Sequence, residues 1–173
     1  STGSITGDDG LDNKSGTFEA TDWTEAEKQA NPNRRGFIRI ASNKRTLEYA
    51  DGTPFFYTGD TWWTALTHIF AWGSNDGLAG ISFQDAIAKR KSQGFNGISM
   101  IACFPSDILN PIWESGKLVT KLAEDGSTPF FVDTAQTWQS APDYTGINPS
   151  YWQHADRKMQ HMWEQGFVVQ LES

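Results

Sequence analysis

The sequence predicts an α/β protein built on a parallel sheet, with about three strands and two helices. Residues 88–102 ("AKRKSQGFNGISMIA") and 160–173 ("QHMWEQGFVVQLES") share one pattern, which is a helix, then Gly-Phe, then an apolar strand. Strands that alternate with helices through short turns favour right-handed crossovers within one parallel sheet. The strands are continuously apolar, as is typical of strands buried on both faces.

The first part of the chain does not share this pattern. Residues 1–16 are rich in Gly, Ser, Asp and Asn and predict a linker or the frayed end of an upstream module. Residues 17–23 ("TFEATDW") predict one strand, and 24–34 a polar connection. We therefore assign residues 1–34 to a linker or to the end of an upstream module.

A β-hairpin is expected before the parallel strands. Residues 35–41 ("RGFIRIA") alternate weakly and predict a strand. In "TLEYADGTPFF" (46–56), two strands flank Asp51-Gly52, which is a strong hairpin signal. Pro54 would begin the returning strand, where a missing N–H is least costly.

The first parallel strand and helix are predicted next. Residues 55–59 ("FFYTG") predict a short buried strand, and 61–72 a short helix. Ser82 is expected to cap a helix over 82–93, because a serine at this position accepts a hydrogen bond from the first turn. A buried strand follows over 95–102 ("FNGISMIA").

A long connection, 103–147, leads to the second helix. Asn148 followed by Pro149 is the preferred arrangement for a helix start. The expected apolar face of this helix consists of Trp152, Ala155, Met159 and Trp163. Gly166 is expected to end it before a third strand, "FVVQLES".

The number of strands sets a limit on the fold. A closed eight-stranded (β/α)8 TIM barrel takes about 250 residues, and this chain has 173. The alternatives are a small open sheet and the N-terminal portion of a larger barrel. We favour the second for residues 35–173, because a sheet that stops at the third strand has an uncovered face and an unpaired edge.

Composition excludes several partners. The net charge is −7, and basic residues occur only in short runs such as Arg34-Arg35, which argues against nucleic acid. No apolar run is long enough to span a bilayer. Cys103 is the only cysteine, so no internal disulfide can form. We predict no cofactor and no metal, because no second ligand lies at a metal-binding spacing from His68, and His154 and His161 are better explained as helix-packing residues.

Candidate sugar-binding groups follow the first predicted strand. Asp60 is placed at its C-terminal end, where a carboxylate can accept hydrogen bonds from two sugar hydroxyls. The alternative is a helix cap that binds the N–H of Trp62 or Trp63. These two adjacent tryptophans cannot face the same way, so one is expected in the core and one towards a pocket. His68 is a further candidate for a sugar contact, although a structural or surface role explains it better.

Further candidates follow the later strands. Asp107, in the loop after the second strand, is a candidate substrate contact or a turn residue. Glu172 is expected at the end of the third strand, on the same rim as Asp60, as a substrate-binding group and the only catalytic candidate in the chain. Cys103 has no evident basic partner and is better explained as a packed residue than as a nucleophile.

The ordered set of motifs resembles the N-terminal part of the apiosidase-like glycoside hydrolases, a bacterial family. The resemblance extends over most of residues 7–172. The matching segments, in order, are "DGTPFF" (51–56), "GDTWW" (59–63), "GFN" (94–96), "YWQHAD" (151–156) and "GFVV" (166–169). The connection 103–147 departs from the family pattern. Upstream, "GDDGLDNKSGTFEA" is similar to the last strands of a β-sandwich that often precedes such barrels.

This resemblance implies a secreted or periplasmic TIM-barrel enzyme that cleaves plant or algal polysaccharide. It also implies that the catalytic carboxylates lie on the fourth and seventh strands, outside this chain, so that the chain alone would be inactive and the rest of the barrel would be its partner. The alternative is a non-catalytic carbohydrate-binding or interaction module that is complete as it stands. A small open α/β enzyme of another class has less support, because no Gly-rich phosphate loop follows any strand.

Overall fold

The computed structural model describes residues 15–77, 79–103, 112–114, 117–119, 122–132 and 142–172. The α-helices are α1 (Glu25–Ala30), α2 (Phe83–Ser92) and α3 (Pro149–Glu164). The strands are β1 (Ile38–Ile40), β2 (Leu47–Tyr49), β3 (Pro54–Phe55), β4 (Gly59–Thr61), β5 (Gly97–Ile101), β6 (Ile112–Glu114), β7 (Lys117–Val119), β8 (Phe130–Val132), β9 (Pro142–Ile147) and β10 (Val168–Glu172). No helix within these ranges is long and apolar enough to cross a membrane.

The predicted parallel sheet is present. Its strand order is β10-β5-β4, and both pairings are parallel. Gly97 of β5 lies level with Gly59 on one side and Val168 on the other. Helix α2 connects β4 to β5 and α3 precedes β10, as the repeated pattern predicts. Both helix starts are also confirmed, because Ser82 caps α2 and Asn148 caps α3.

The two faces of this sheet have different surroundings. Side chains alternate along a strand, so residues level with Ile98 share one face and residues level with Ser99 share the other. Ile98 and Met100 are fully buried against the helices, and we call theirs the helix-covered face. The opposite face, which we call the open face, carries Gly59, Thr61, Gly97, Ser99, Ile101, Val168, Gln170 and Glu172.

The main core lies between the helix-covered face and helices α2 and α3. Its members are Ala65, Leu66, Phe83, Ile87, Ile98, Met100, Ala123, Tyr151, Ala155, Met162 and Phe167. Burial of such side chains contributes about 25 cal/mol per Å² of apolar surface.

The predicted strand over 55–59 is wrong in position. Phe55 belongs to β3, Phe56 is 84% exposed, and the parallel strand begins only at Gly59. The side chain of Asn96 explains the difference. Its Oδ1 accepts from the N–H of Thr58 at 2.8 Å and its Nδ2 donates to the carbonyl of Phe56 at 2.7 Å. These bonds hold residues 56–58 outside both strands.

Tyr57 lies across the N-terminal end of the open face. Its ring covers Gly59 and Gly97, and a Cβ at either glycine would overlap the ring. The two glycines are therefore required by this close approach.

The predicted hairpin is confirmed and forms part of a three-stranded antiparallel sheet, β1-β2-β3. At the Asp51-Gly52 turn, Asp51 Oδ1 accepts from the N–H of Thr53 at 2.9 Å, and Gly52 takes the positive φ of 87°. The rings of Tyr49 and Phe55 pack edge to face, with their centroids 5.2 Å apart.

The prediction for residues 17–34 is wrong in secondary structure. No strand lies within 17–23, where Phe18 is 93% exposed and no neighbouring strand pairs with the backbone. The expected polar connection instead contains α1, whose capping box is formed by Thr24 and Glu27. A 3₁₀ helix, Pro32–Arg35, follows.

The end of this N-terminal segment is attached to α3. Asn31 and Asn33 each donate from Nδ2 to the carbonyl of Trp163, at 3.0 and 3.1 Å, and Asn33 also donates to the carbonyl of Phe167 at 2.9 Å. These bonds attach the segment to the last turn of α3 and to the residue before β10. The division into 1–34 and 35–173 stays a prediction.

The remaining corrections concern the second half of the chain. The connection 103–147 contains two antiparallel strand pairs, β6-β7 and β8-β9, that the sequence reading did not include. The buried face of α3 is offset from the predicted one and consists of Tyr151, Ala155, Lys158 and Met162. Trp163 is 44% exposed, and Trp152 and Met159 pack only at the edge of the core. The offset arises because Lys158 takes a core position that a purely apolar pattern excludes.

Candidate functional site

Asp60 lies within β4 rather than after it, and its side chain points to the helix-covered face. Arg90 Nε of α2 donates to Asp60 Oδ2 at 2.6 Å, and Trp62 Nε1 donates to the same oxygen at 2.9 Å. The N–H of Thr61 donates to Oδ1 at 2.8 Å. Burial acts to raise the pKa of Asp60, but these hydrogen bonds outweigh it and lower the pKa below its ordinary value. Both carboxylate oxygens already have protein donors.

The two adjacent tryptophans face differently, as expected. Trp62 packs at the edge of the core and stacks on Phe70, with the ring centroids 4.9 Å apart and an angle of 10° between the planes. Trp63 is 59% exposed. Trp63 is therefore the more exposed tryptophan of this pair.

A cleft of about 290 Å³ opens beside Asp60, on the helix side of the sheet. Its walls are apolar apart from two basic residues, and the lining consists of Trp62, Phe70, Ala79, Ile81, Ala86, Lys89 and Arg90.

Glu172 ends β10 on the open face. Ser99 Oγ donates to Glu172 Oε1 at 2.9 Å, which fixes the orientation of the carboxylate. The expectation that Asp60 and Glu172 point to the same rim is wrong. Asp60 is level with Ile98 and Glu172 with Ile101, an odd offset of three positions that places the two carboxylates on opposite faces.

The C-terminal ends of the three parallel strands meet side by side. The N–H of Ile101 donates to the carbonyl of Trp63 at 3.2 Å, and the N–H of Ala102 donates to the carbonyl of Glu172 at 2.8 Å. Trp63 and Glu172 therefore lie at the same end of the sheet, on either side of β5, and Ser99 of β5 contacts Glu172. We call these three residues the strand-end cluster.

His68 begins a 3₁₀ helix, His68–Phe70, in the predicted short helix region. Its N–H donates to the carbonyl of Leu122 at 2.8 Å. Among the described residues, its buried Nδ1 has no hydrogen-bond partner. Its predicted contact with substrate stays a prediction. Asp107 lies outside the described residues.

The other predicted packing residues differ among themselves. His161 lies between Trp72 and Phe83, at centroid distances of 5.4 and 6.2 Å, and burial lowers its pKa. His154 instead has a polar environment, with Nε2 3.4 Å from Asp125 Oδ2. Cys103 is half-buried, and burial raises the pKa of its thiol, which disfavours the reactive thiolate.

Lys158 is a buried charge that was not predicted from the sequence. Its side chain is 1% exposed, and Nζ donates to the carbonyls of Thr67 and Phe70 at 2.8 and 2.7 Å. Glu124 Oε1 lies 3.3 Å from the same nitrogen. Burial lowers the pKa of Lys158 to about 8, against the opposing effect of Glu124. The sequence did contain a signal for this burial, because Lys158 shares a helix face with the apolar positions 151, 155 and 162 of α3.

Glu124 extends this network to the neighbouring loop. Its Oε1 accepts from the N–H of Trp72 at 2.8 Å, and its Oε2 accepts from Arg157 at 2.9 Å. The Lys158–Glu124 pair therefore joins the loop after β4 and the loop between β7 and β8 to α3. In the described ranges, no group of three or more His, Cys, Asp or Glu side chains is arranged to hold a metal ion.

Comparison with known families identifies the chain. The family described as "Apiosidase-like, catalytic domain" matches residues 41–172. The chain belongs to the apiosidase-like family. The resemblance drawn from the sequence motifs is thus confirmed. No curated protein matches the chain.

Solved structures similar to this apiosidase-like chain are glycoside hydrolases. One titled "Glycoside hydrolase" has a TM-score of 0.48 at 20% identity and covers 82% of this chain and 26% of its own. A family 5 glycoside hydrolase from Bacteroides vulgatus has a TM-score of 0.49 at 18% sequence identity, and the match covers 82% of this chain and 25% of that one. A putative glycoside hydrolase from Bacteroides vulgatus has a TM-score of 0.50 at 17% sequence identity, and the match covers 79% of this chain and 24% of that one.

The likeness is to part of a larger fold. The apiosidase-like chain spans about a quarter of the length of these solved structures. It is a mixed α/β structure with small sheets that matches part of a glycoside hydrolase fold.

Proposed function

We propose that this chain is the first part of the catalytic TIM barrel of a glycoside hydrolase, with β4, β5 and β10 as barrel strands one to three. Three observations support the proposal. The family match covers residues 41–172, β4, β5 and β10 lie side by side in chain order as parallel neighbours of one sheet, and the matched structures are about four times longer than the matched part. Under this proposal the open face is the inner wall of the barrel, and the rest of the barrel supplies the other strands.

The observation that carries the proposed site is the position of Glu172. It stands at the C-terminal end of its strand, on the open face, oriented by Ser99 and at the same end of the sheet as the exposed Trp63. Barrel enzymes place substrate-binding and catalytic groups at this end. In the proposal, Glu172 accepts hydrogen bonds from sugar hydroxyls and Trp63 stacks on a sugar ring.

Hydrolysis itself would require two carboxyl groups. One protonates the leaving oxygen, while the other acts as the nucleophile or activates water, at a separation of about 5–5.5 Å in retaining enzymes and about 6.5–9.5 Å in inverting ones. Asp60 and Glu172 lie on opposite faces of the sheet, so we place the catalytic pair on barrel strands beyond this chain. We propose a plant or algal polysaccharide as the substrate and a bacterial protein that is secreted or periplasmic.

Asp60 has a supporting role in this scheme. Its carboxylate holds the indole of Trp62 and the guanidinium of Arg90 on the helix side. Phe70 stacks on Trp62, so Asp60 positions the loop between these two residues. In this proposal, Asp60 affects substrate binding through that loop.

Substitution of Glu172 in the complete enzyme tests the site. Loss of a hydrogen bond to a charged group costs about 1.5–3 kcal/mol, so Glu172→Gln is expected to lower kcat/KM on the native polysaccharide roughly 10- to 100-fold. Glu19→Gln, which alters an exposed carboxylate in the N-terminal segment, is the matched control. Unchanged kcat/KM in Glu172→Gln would show that the strand-end cluster is not the substrate site.

The 173-residue chain provides a second test. We expect no glycoside hydrolysis from a pure sample, because the catalytic pair is assigned to other strands. Sustained turnover that co-purifies with the chain would contradict that assignment.

A further inference from the structure

A groove of about 500 Å³ opens beside β10, at the end of the parallel sheet where the strands begin. We call it the lateral groove. One wall includes Met159, Trp163 and Val169, and the other includes Phe37, Ile38 and Tyr49. Phe37 is 72% exposed and Trp163 is 44% exposed. Large apolar side chains that gather at a surface in this way mark an interaction site.

The wall formed by β1 and β2 is an apolar face that continues beyond the lateral groove. Ile38 is level with Tyr49, and the next pair on the same face is Ile40 with Leu47. Ile40 is 70% exposed and Leu47 is 37% exposed, whereas Tyr49 is buried. The face is therefore apolar along both pairs, and its uncovered part is available to a neighbouring element.

The other wall belongs to an edge of the parallel sheet that the helices cover incompletely. Within the described residues, β10 pairs with β5 alone. On the helix-covered face, Ile98 and Met100 of β5 are fully buried. Val169 and Leu171 of β10 are level with them, but Leu171 is 45% exposed. The helices therefore cover β5 completely and the outer flank of β10 only in part.

Two sides of α3 point in opposite directions along the sheet. On one side, His161 lies against Phe83 of α2, with the ring centroids 6.2 Å apart. Trp163 comes two residues later and, at about 100° per residue, points about 200° away from His161. Met159 lies on the same side as Trp163, one turn earlier. The side of α3 that lines the lateral groove is therefore opposite to α2.

The internal repeat indicates what fits on that side. Aligning the two Gly-Phe pairs that follow α2 and α3 matches Ile87 with Met159. It also matches Lys91 with Trp163. In α2 these positions face the next helix, because Ile87 is fully buried in the core shared with α3 and Lys91 Nζ donates to Gln165 Oε1 of α3 at 3.2 Å. In α3 the matching positions line the lateral groove instead.

We propose that the lateral groove is the seat of one further amphipathic helix of the same polypeptide, packed on α3 and β10 as α3 packs on α2 and β5. The proposal rests on the barrel proposed above and names the surface through which its next part attaches. This chain covers 24% of the glycoside hydrolase structure that it matches at a TM-score of 0.50, so that fold contains further elements to fill the seat.

The walls specify the chemistry of the incoming helix. No charged side chain lines the groove in the described part of the chain, so the buried side of the helix must be apolar, because an unpaired charge is costly to bury. Helices between parallel strands run against the strand direction. The C-terminal end of the incoming helix therefore lies where the strands begin and contacts Phe37 and Ile38, which gives the β1–β2 hairpin a role in holding it.

A second copy of the chain fits this surface less well. Copies related by a twofold axis would bring β10 beside its own equivalent in antiparallel orientation. The sheet is parallel at both of its pairings, and the repeat continues it in the same sense.

Photo-crosslinking in the complete protein identifies the occupant of the lateral groove. The photoreactive amino acid p-benzoylphenylalanine replaces Trp163 in one variant and Gln153, an exposed residue of α3, in the matched control. Position 163 should cross-link, within one molecule, to a peptide from outside residues 1–173, and position 153 should not. Mass spectrometry of the monomer band identifies the peptide, which should carry apolar residues at helical spacing.

Hydroxyl-radical footprinting of the unmodified complete protein provides a second measurement that needs no variant. The side chains of Phe37 and Trp163 should lose most of the reactivity that they have in urea, as the fully buried Tyr151 does. This result supports the seat even where the photoreactive group disturbs the packing of the helix.

The outcomes separate this proposal from the proposed function. A cross-link from position 163 to a second molecule, a cross-linked peptide that is mainly charged, or rapid oxidation of Phe37 and Trp163 in the folded protein overturns the seat. If any of these is found in a protein that cleaves polysaccharide, the seat is wrong and the hydrolase stands. If the helix is found in the groove but the complete protein hydrolyses no glycoside, the seat stands and the hydrolase falls.

Discussion

The two faces of the parallel sheet carry one carboxylate each, and the two carboxylates differ in their surroundings. On the helix-covered face, Asp60 accepts hydrogen bonds from Arg90, Trp62 and Thr61. On the open face, Glu172 accepts from Ser99 and is exposed. Asp60 has its hydrogen-bonding capacity used within the protein, whereas Glu172 retains capacity for a ligand.

This difference shows that position along the chain is not enough to identify a site carboxylate in a parallel sheet. Both residues lie near the end of an apolar segment, and both fit the expectation for a barrel enzyme. The face is decided by the parity of the residue in its strand, because successive side chains point to opposite sides. Four substitutions break or sharpen this comparison, from the largest expected change in stability to the smallest.

Lys158→Met should lower the free energy of unfolding the most, because it removes the buried ammonium group of α3. It leaves Glu124 and the carbonyls of Thr67 and Phe70 without their common donor. Removal of one partner from a buried pair costs about 3–5 kcal/mol. Urea unfolding measures the loss, and Lys89→Met, on the exposed part of α2, should stay within about 0.5 kcal/mol of wild type. A loss below about 1 kcal/mol would contradict the assigned role of Lys158.

Gly97→Ala tests the close contact at the base of the open face. The added methyl group overlaps the ring of Tyr57, and forced displacement of this kind costs about 1–3 kcal/mol. In a Tyr57→Ala background the same change should cost much less, which a double-mutant cycle by chemical denaturation would show. If Gly97→Ala lowered the free energy of unfolding equally in both backgrounds, the ring of Tyr57 would not be the source of the strain.

Asp60→Asn should have a smaller effect that depends on pH. A partly exposed ion pair contributes about 1 kcal/mol or less, and the variant should lose that amount at pH 7. The folded-state pKa of Asp60 lies below its ordinary value of 3.8. Its stabilisation is therefore present above the unfolded-state pKa and is lost as the pH falls through the folded-state pKa. Melts of both proteins from pH 7 to pH 2 should converge in acid, and a constant difference would exclude this explanation.

Glu172→Gln should change stability least, by about 0.5 kcal/mol or less, because the side chain is exposed and contacts mainly Ser99. The same variant is expected to lose substrate binding in the complete enzyme. Calorimetric melting gives the first quantity, and steady-state kinetics gives the second. A large loss of stability would make Glu172 a structural residue rather than a binding residue.

Much of the fold could be predicted from local signals. The Asp51-Gly52 turn, the caps Ser82 and Asn148, and the repeated helix–Gly-Phe–strand pattern each depend on residues close in sequence. The start of β4 could not be predicted this way. The run 55–57 is as apolar as a strand, but the side chain of Asn96, about 40 positions away, binds Phe56 and Thr58 and holds residues 56–58 outside the strands.

The candidate site was predictable only in outline. The end of β10 at Glu172 follows from the apolar run, and Trp63 from its position after the first strand. The face of Asp60 depends on where β4 begins, and that start depends on contacts made by Tyr57 and Asn96. The β8–β9 pair was not predicted because its irregular register gives no periodic pattern in the sequence.

The bonds of Asn33 to the end of α3 have a consequence for the order of folding. The bond from Asn33 to the carbonyl of Phe167 joins positions 134 residues apart. Closing so long a loop carries a large entropic cost that nearby contacts do not meet, so we expect this contact to form after the transition state. Asn33→Ala should then speed unfolding and leave the refolding rate nearly unchanged in stopped-flow experiments. The 3₁₀ helix before β1 would then be the last part of the structure to attach during folding, although it comes early in the chain.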